Sequence, residues 1–115
     1  MMEKIKKIGL LIIIIMACSV SNAQKIFSVD YESQADIKVF VVDYESQADL
    51  KVFKVKYESQ AVNNEGKWFF VKYASQAKKK ISFVKYESQA DLKIYFVDYE
   101  SQAGWRTSSK KSLMY

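Results

Sequence analysis

The stretch ADLKVFKVKYESQ, residues 48–60, contains one complete copy of the pattern that decides the fold. Two sets of apolar residues alternate with charged residues on either side of one slip of phase: Ala48, Leu50 and Val52, then Phe53, Val55 and Tyr57. Alternation with a period of two is typical of a β-strand with one buried face. A slip that leaves both sets apolar indicates a bend at which both keep facing the interior. We therefore expect two short strands joined at a bend, and a second corner at Glu-Ser-Gln.

This pattern occurs six times along the chain. Its tyrosines stand 13 residues apart, except for one spacing of 16: Tyr31, Tyr44, Tyr57, Tyr73, Tyr86 and Tyr99. A glutamine follows each tyrosine three residues later: Gln34, Gln47, Gln60, Gln76, Gln89 and Gln102. The longer spacing contains Asn63, Asn64 and Gly66, which mark a loop. Because these tyrosines and glutamines recur at fixed positions while others change, we interpret them as the structural corner of each repeat.

Stacking one module on the next predicts an all-β repeat protein, a narrow β-solenoid of about six 13-residue coils. In such a stack, tyrosine lies over tyrosine and glutamine over glutamine at a spacing of about 4.8 Å. The alternative is an antiparallel β-meander or small barrel, with Glu-Ser-Gln-Ala-Asp as a hairpin loop. Most of these loops lack the glycine or asparagine that hairpins usually need. A third possibility is a strand followed by a helical turn, because Glu, Gln, Ala and Leu favour helices.

The amino terminus has the order of an export signal. A lysine-rich leader is followed by an apolar run from Leu10 to Ala17 and by small residues ending at Ala23. Cleavage near Ala23 predicts a secreted, periplasmic or cell-envelope protein. The alternative is a lipoprotein anchored through Cys18, and only then is a membrane an expected partner. The expected divisions are a signal peptide at 1–23, a six-module repeat domain at 24–106 and a C-terminal tail or cap at 107–115.

The composition excludes several kinds of chemistry. The chain has no histidine and one cysteine, so the usual Ser-His and Cys-His nucleophiles and zinc sites lack their residues. With three glycines, it also lacks glycine-rich phosphate loops. Paired carboxylates such as Asp43 and Glu45 recur in several modules and do not mark one pocket. We therefore predict no catalytic residue, no metal site and no cofactor.

Candidate binding residues lie where the modules differ. Three successive modules carry phenylalanine three residues before the tyrosine: Phe70, Phe83 and Phe96. Three successive modules carry lysine directly before it: Lys56, Lys72 and Lys85. With Lys54, they are expected to form aromatic and basic columns if these positions face outward. Residues 51–93 hold ten lysines against four acids, so a glycan or anionic surface is a possible partner. Nucleic acid is disfavoured for an exported chain.

Modules of the form VFxVDYESQADLK resemble those of a family of short exported bacterial proteins grouped as a domain of unknown function. The resemblance covers Lys25 to about Arg106 and implies the module boundaries and the export signal. The fourth module departs from the pattern at Ala74, Lys78 and Lys79. The expected function is an exported, non-catalytic repeat protein with a structural, adhesive or self-assembly role. The alternative is a small surface module that binds a glycan or anionic ligand. Self-association is expected through the exposed sheet edge at which a solenoid ends.

Overall fold

The structure is a computed structural model that describes residues 23–115. Cys18 and the predicted signal peptide before Ala23 lie outside the described residues. The strands of the described part are β1 Lys25–Ser28, β2 Ile37–Val41, β3 Leu50–Lys54, β4 Lys67–Phe70, β5 Lys79–Phe83, β6 Leu92–Phe96 and β7 Gly104–Trp105. No helix within residues 23–115 is long and apolar enough to cross a membrane.

Each connection between strands contains one 3-10 turn, numbered here from 1 to 6 along the chain. The turns are Glu32–Gln34, Glu45–Gln47, Glu58–Gln60, Ala74–Gln76, Glu87–Gln89 and Glu100–Gln102. The residue before each turn is a tyrosine in extended conformation, whose carbonyl accepts a hydrogen bond from the N–H of the turn's glutamine. A longer 3-10 helix, Ser108–Met114, ends the chain.

Six parallel strands close into a barrel, in the order β4-β1-β5-β2-β6-β3, and β3 then pairs with β4. The seventh strand, β7, lies outside this ring and pairs antiparallel with β3. The predicted all-β fold of short repeated, solenoid-like units is confirmed. The direct stacking of successive modules is wrong, because β1 pairs with β4 and β5 and not with β2. Closure also leaves the six barrel strands with no free edge, which removes the expected basis for edge-to-edge association.

The chain travels around the barrel in two interleaved circuits. Strands β1 to β3 occupy alternate places in the ring, and β4 to β6 fill the places between them. Ser28 at the end of β1 and Ile37 at the start of β2 flank the same residue, Ile81 of β5. The connection between them crosses outside β5, and turn 1 contacts that strand. Each module therefore advances by two places and covers a strand of the other circuit.

The 16-residue spacing is what permits the second circuit. After β3, a further advance of two places would bring the chain onto β1. The connection does reach β1, where Gln24 N–H donates to the Ala61 carbonyl at 2.7 Å. The loop at 62–66 then turns back to begin β4 in the gap between β3 and β1. Asn63 and Gly66 supply the positive φ angles of 62° and 87° that this reversal uses.

The interior consists of layers, with one residue from each strand in a layer. Ser28 at the end of β1 is opposite Ile81, two residues before the end of β5, and Phe83 is likewise opposite Val39 of β2. The same stagger recurs around the ring, so the strands are tilted and equivalent module positions share one height. The middle layer is Ile26, Ile81, Val39, Ile94, Val52 and Trp68, each 0% exposed. The barrel is therefore filled by side chains.

The expected inward position of the tyrosines is wrong. In β3, Leu50 and Val52 face the core and Phe53 faces outward against the connections, where it is half-buried. The chain leaves the barrel after Lys54, so Tyr57 lies on the crossing connection. All six tyrosines are 64–69% exposed. The phase slip therefore lies two residues before the end of β3, and Val55, which follows the strand, is the buried member of the second apolar set.

The tail closes the amino-terminal end of the barrel. Met114 is fully buried and belongs to the core, with Trp105 and Leu113 packed beside it. Its carbonyl accepts a hydrogen bond from Gln24 Nε2 at 3.2 Å. Trp105 Nε1 donates to the carbonyl of Asn64 at 2.8 Å, which joins the tail to the loop at 62–66. The opposite end, where the strands terminate, has no such plug among the described residues.

Candidate functional site

The predicted phenylalanine column is replaced by a ring at the open end of the barrel. The top layer around this end is Ser28, Phe83, Val41, Phe96, Lys54 and Phe70. Phenylalanines from the second circuit alternate there with smaller or polar residues from the first, since six bulky rings would crowd one layer. Lys54 Nζ lies 4.8 Å from the ring centroid of Phe96 and 5.5 Å from that of Phe70. These distances permit cation–π contacts.

Phe83 stands on β5, between Ser28 of β1 and Val41 of β2 in the top layer. It is 42% exposed, and its neighbour Val41 is 39% exposed. Phe70 and Phe96 are partly buried against the core. The prediction of a surface aromatic column is therefore wrong, and the open end has one shielded side and one exposed apolar side.

The predicted basic column is also not formed. The residues directly before the tyrosines follow the strand order around the barrel: Lys72, Asp30, Lys85, Asp43, Asp98 and Lys56. Lysine and aspartate alternate over the first four of these places. Lys85 follows β5, which lies between the strands that precede Asp30 and Asp43, whereas Lys56 and Lys72 follow the neighbouring strands β3 and β4. All three lysines are exposed. Their field is therefore divided, with acids around Lys85 and a basic side near Lys72.

The backbone N–H of each glutamine bonds within its own turn. At Gln60 the side chain does so as well, since its Oε1 accepts hydrogen bonds from the N–H groups of Lys56 at 3.2 Å and Tyr57 at 3.1 Å. Successive turns cross different strands, so glutamines of successive modules do not stack on one another. The alanine at the end of a turn is buried at Ala48 and Ala61.

Glutamates of the turns pair with lysines on the outer wall, which the sequence analysis missed. Within a module the two residues are six apart, and Glu45 and Lys51 approach to 3.3 Å, as do Glu87 and Lys93. Two further pairs join different modules: Lys25 with Glu58 at 3.6 Å and Lys67 with Glu100 at 3.3 Å. The recurrent spacing of six was the available signal. These pairs are partly exposed, so each contributes little to stability.

Aspartates at the ends of the connections bond to the strands that they cross. The Oδ2 atoms of Asp36, Asp49 and Asp91 accept the backbone N–H groups of Lys80, Lys93 and Lys38 at 2.9 Å. Of these, Asp49 is buried and also pairs with Lys110 of the tail at 3.4 Å. Burial alone would raise the pKa of Asp49, but the Lys93 N–H, the Thr107 hydroxyl and the Lys110 ammonium together hold it below its usual value.

The fourth connection lacks both kinds of carboxylate. It crosses β1, and Ala74 and Lys78 occupy the places of the glutamate and the aspartate. A groove of about 580 Å³ lies between turns 3 and 4 beside this connection. Its lining includes Phe69 and Phe70, the lysines at 25 and 72, and Ser75 and Gln76. Aromatic, amide, hydroxyl and ammonium groups therefore meet on one side of the barrel.

The described residues offer no cluster suited to a metal ion, since no three carboxylate, histidine or cysteine side chains come together within 23–115. The exposed carboxylates bond to lysines and to backbone N–H groups on the wall. They do not converge on the groove, whose lining contains one acid, Glu58, already paired with Lys25. The groove can therefore hold a ligand by stacking, hydrogen bonding and charge.

A family model for the 7(1) septoil knot domain matches residues 23–106, which is most of the chain. The chain belongs to the septoil knot domain family. Comparison with curated proteins and with solved structures gave no match. The name agrees with the path of the chain, because a double winding whose connections pass outside the strands of the other circuit is a knot-like course. The septoil knot domain covers all six barrel strands, whereas the final 3-10 helix lies beyond the matched residues.

Proposed function

We propose that this septoil knot domain is an exported, non-catalytic adhesive module that binds a carbohydrate polymer through its exposed tyrosines. The observation that carries the proposal is the set of six tyrosines at equivalent places, each 64–69% exposed. Tyrosine is enriched at interaction surfaces, because one end of its side chain is apolar and the other is polar. A tyrosine combines a large flat face with a hydroxyl and loses little conformational entropy on binding. This combination suits the alternating apolar and hydroxyl surfaces of sugars.

The arrangement favours an extended ligand over a small one. The barrel interior is filled, with its middle layer fully buried, so an enclosed ligand pocket is not available there. The connections follow the strand order, so the tyrosines follow one another around the barrel as Tyr57, Tyr73, Tyr31, Tyr86, Tyr44 and Tyr99. A polymer that contacts several of them gains affinity by multivalency, because each contact raises the effective concentration for the next.

The test is binding of the protein to immobilised neutral and charged polysaccharides, with paired tyrosine variants. Tyr57→Ala with Tyr73→Ala removes neighbours, whereas Tyr73→Ala with Tyr44→Ala removes residues on opposite sides. We expect the neighbouring pair to weaken binding by about tenfold or more and the opposite pair to weaken it less. The same pairs changed to phenylalanine keep the ring and should retain most of the affinity.

Stability provides the control for these variants. The tyrosines are exposed, so replacing them should change the free energy of unfolding by less than about 0.5 kcal/mol each. Loss of binding without loss of stability supports the adhesive role. If no polysaccharide binds, or if all the alanine variants bind as the wild type does, the proposal is wrong. Sedimentation of the same samples separates adhesion to a glycan from assembly of the protein with itself.

Export is part of the proposal and rests on the lysine-rich leader, the apolar run and the small residues before Gln24. Mass spectrometry of the protein recovered from outside the cytoplasm provides the test. A mature chain beginning at Gln24 supports cleavage after Ala23. A product beginning with an acylated Cys18 supports the lipoprotein alternative, and retention of the intact chain in the cytoplasm contradicts both.

A further inference from the structure

The outer wall over β1 is the place where the repeated charge pairing breaks down. In the second and fifth modules, the turn glutamate pairs with the lysine six residues later, as Glu45 does with Lys51. In the fourth module the corresponding residues are Ala74 and Lys80, so the turn supplies no carboxylate to that lysine. Likewise, the end of this connection presents Lys78, where three other connections place an aspartate on the strand that they cross.

These changes bring ammonium groups together along one side. The backbone N–H of Lys78 donates to the carbonyl of Lys25 at 2.7 Å, so these residues are adjacent across the crossing. Lys80 lies on β5, the strand next to β1, and its register partner there is Phe27, two residues after Lys25. Lys72 completes the side at the open end of the barrel and lines the groove. We name the set Lys25, Lys72, Lys78 and Lys80 the basic strip.

Few acids face the basic strip. Glu58 of turn 3 lies 3.6 Å from Lys25, and Glu65 lines a separate cleft with Lys78. The Asp36 carboxylate is occupied by the backbone N–H of Lys80, which it accepts at 2.9 Å. Glu58 therefore neutralises Lys25, whereas the ammonium groups of Lys72, Lys78 and Lys80 form no salt bridge within residues 23–115 and lie beside an aromatic groove. This differs from the opposite wall, where Glu45 and Glu87 hold the ammonium groups of Lys51 and Lys93.

We propose that the groove and the basic strip form a binding site for an acidic polysaccharide segment, with sugar rings against Phe69 and carboxylates against the lysines. This inference rests on the proposed function and adds a place and a charge class to it. The groove supplies both elements of recognition, since Phe69 presents an apolar face and Gln76 a hydrogen-bonding amide beside the ammonium groups. Charge complementarity selects an acidic chain over a neutral one and strengthens binding at low salt.

The test uses two polymers with the same ring, polygalacturonate and its methyl ester, which differ in charge. The variant Ala74→Glu with Lys78→Asp restores the carboxylates found in the other modules and changes the net charge by −3. It should fold with at least wild-type stability, because the carboxylate introduced into turn 4 would face Lys80 as Glu45 faces Lys51. We expect it to bind polygalacturonate about tenfold or more weakly, and to bind the methyl ester as before.

A charge-matched control separates the site from the overall field. Ser46→Glu, Ser88→Glu and Ser101→Glu change the net charge by the same −3 on turns that cross β6, β2 and β3. This control should retain most of the preference for polygalacturonate. A second comparison concerns the aromatic groove: Phe69→Ala should lose affinity, whereas Phe40→Ala, at the equivalent outward position of β2, should not. Equal loss in the control and in the restored variant would overturn the site, since the effect would then come from net charge.

The remaining outcomes distinguish the two proposals. If both polymers bind equally and the restored variant behaves as the wild type does, the acidic site is wrong and the adhesive function stands. If neither polymer binds, the acidic site is wrong, and binding to the wider set of immobilised polysaccharides decides the adhesive function separately. A single-stranded oligonucleotide provides the last comparison. If it binds more tightly than polygalacturonate, displaces it, and loses affinity when Lys72 or Phe69 is replaced, the choice of a saccharide is overturned, since that is the behaviour of a nucleic-acid groove.

Discussion

Replacement of Gly66 by alanine tests whether the closure of the barrel depends on one tight passage. Gly66 precedes β4 and has a φ of +87°, which costs an L-residue about 1–2 kcal/mol. A Cβ placed there would collide with the Lys51 carbonyl oxygen and would lie 3.2 Å from the nitrogen of Gly104, both backbone atoms. The backbone must therefore shift, and the hydrogen bond from Phe53 N–H to the Gly66 carbonyl, at 2.8 Å, is lost or lengthened.

The expected loss follows from these two effects. The left-handed conformation and the weakened hydrogen bond together amount to about 2–3 kcal/mol. That is a large share of the roughly 5–15 kcal/mol that stabilises a typical domain. For a domain of this size it corresponds to a fall in Tm of about 10–20 °C. Urea denaturation followed by far-UV circular dichroism gives the free energy of unfolding, and the fluorescence of Trp68 and Trp105 reports the same region.

Gly104→Ala is the matched control. Gly104 also has a positive φ, +153°, but a Cβ there meets nothing within 4 Å. This variant should lose only the conformational part, about 1 kcal/mol. A larger loss in Gly66→Ala than in Gly104→Ala measures the collision with β3. If the two variants unfold at the same urea concentration, the passage beside Lys51 is not tight and the reasoning about closure at β4 is refuted.

Three further predictions concern the loop and the tail. Deleting Val62 to Asn64 restores a spacing of 13 and directs β4 onto the place of β1, so we expect no closed monomeric barrel; a native-like NMR spectrum would contradict this. Met114→Ala should cost about 2–5 kcal/mol of unfolding free energy, because that side chain is fully buried, and a urea midpoint unchanged from wild type would show that it does not plug the barrel. Asp49→Asn should destabilise the protein most at neutral pH. The lowered pKa of Asp49 gives a contribution that is complete above about pH 4 and lost as the pH falls through the folded-state pKa, so the difference from wild type should shrink in acid; a pH-independent difference argues against an ionised Asp49 in the fold.

The repeat and its strand content were predictable because their signals are local. The alternation around Leu50 and Val52 reflects one buried face, and it holds in the structure. The Glu-Ser-Gln corner is likewise a local turn, which the structure forms as a 3-10 turn. The pairing of strands was not predictable in this way. Near-identical modules present the same side chains, so periodicity does not determine which copy lies beside which.

Two features of the sequence did contain information about the pairing. The phenylalanines at 70, 83 and 96 belong to the second circuit, whereas Ser28, Val41 and Lys54 belong to the first. The change of residue type at the fourth module therefore records which circuit a strand belongs to. The spacing of 16 records the place where one circuit passes into the next. In a stack of coils the first feature is only variation at the surface and the second only a loop, so a solenoid model assigns neither of them a role in pairing.

The candidate site was predictable only in its parts. Phe70 and Lys72, which occupy positions that differ between modules and were predicted as binding residues, do line the groove. Its other members include Phe69, at an outward position of β4, and Lys25, on β1, which the sequence did not single out. Lys56, Lys85 and Phe83 lie elsewhere on the ring. Columns along the sequence become rings around a barrel once strands advance by two places. Within a circuit, residues in successive modules are then two strands apart, whereas residues three or four modules apart become neighbours.

The two interleaved circuits restrict how such a gene can change. Tandem repeats commonly gain or lose a copy by recombination between similar units, and an open stack tolerates this since each unit rests only on the one beside it. Here the loss of one unit would leave a vacant place in the ring, and a further unit would have no place to occupy. Recombination within this coding sequence is therefore expected to be tolerated only when it exchanges units of equal number, so that copy number is fixed by geometry while individual residues remain free to vary.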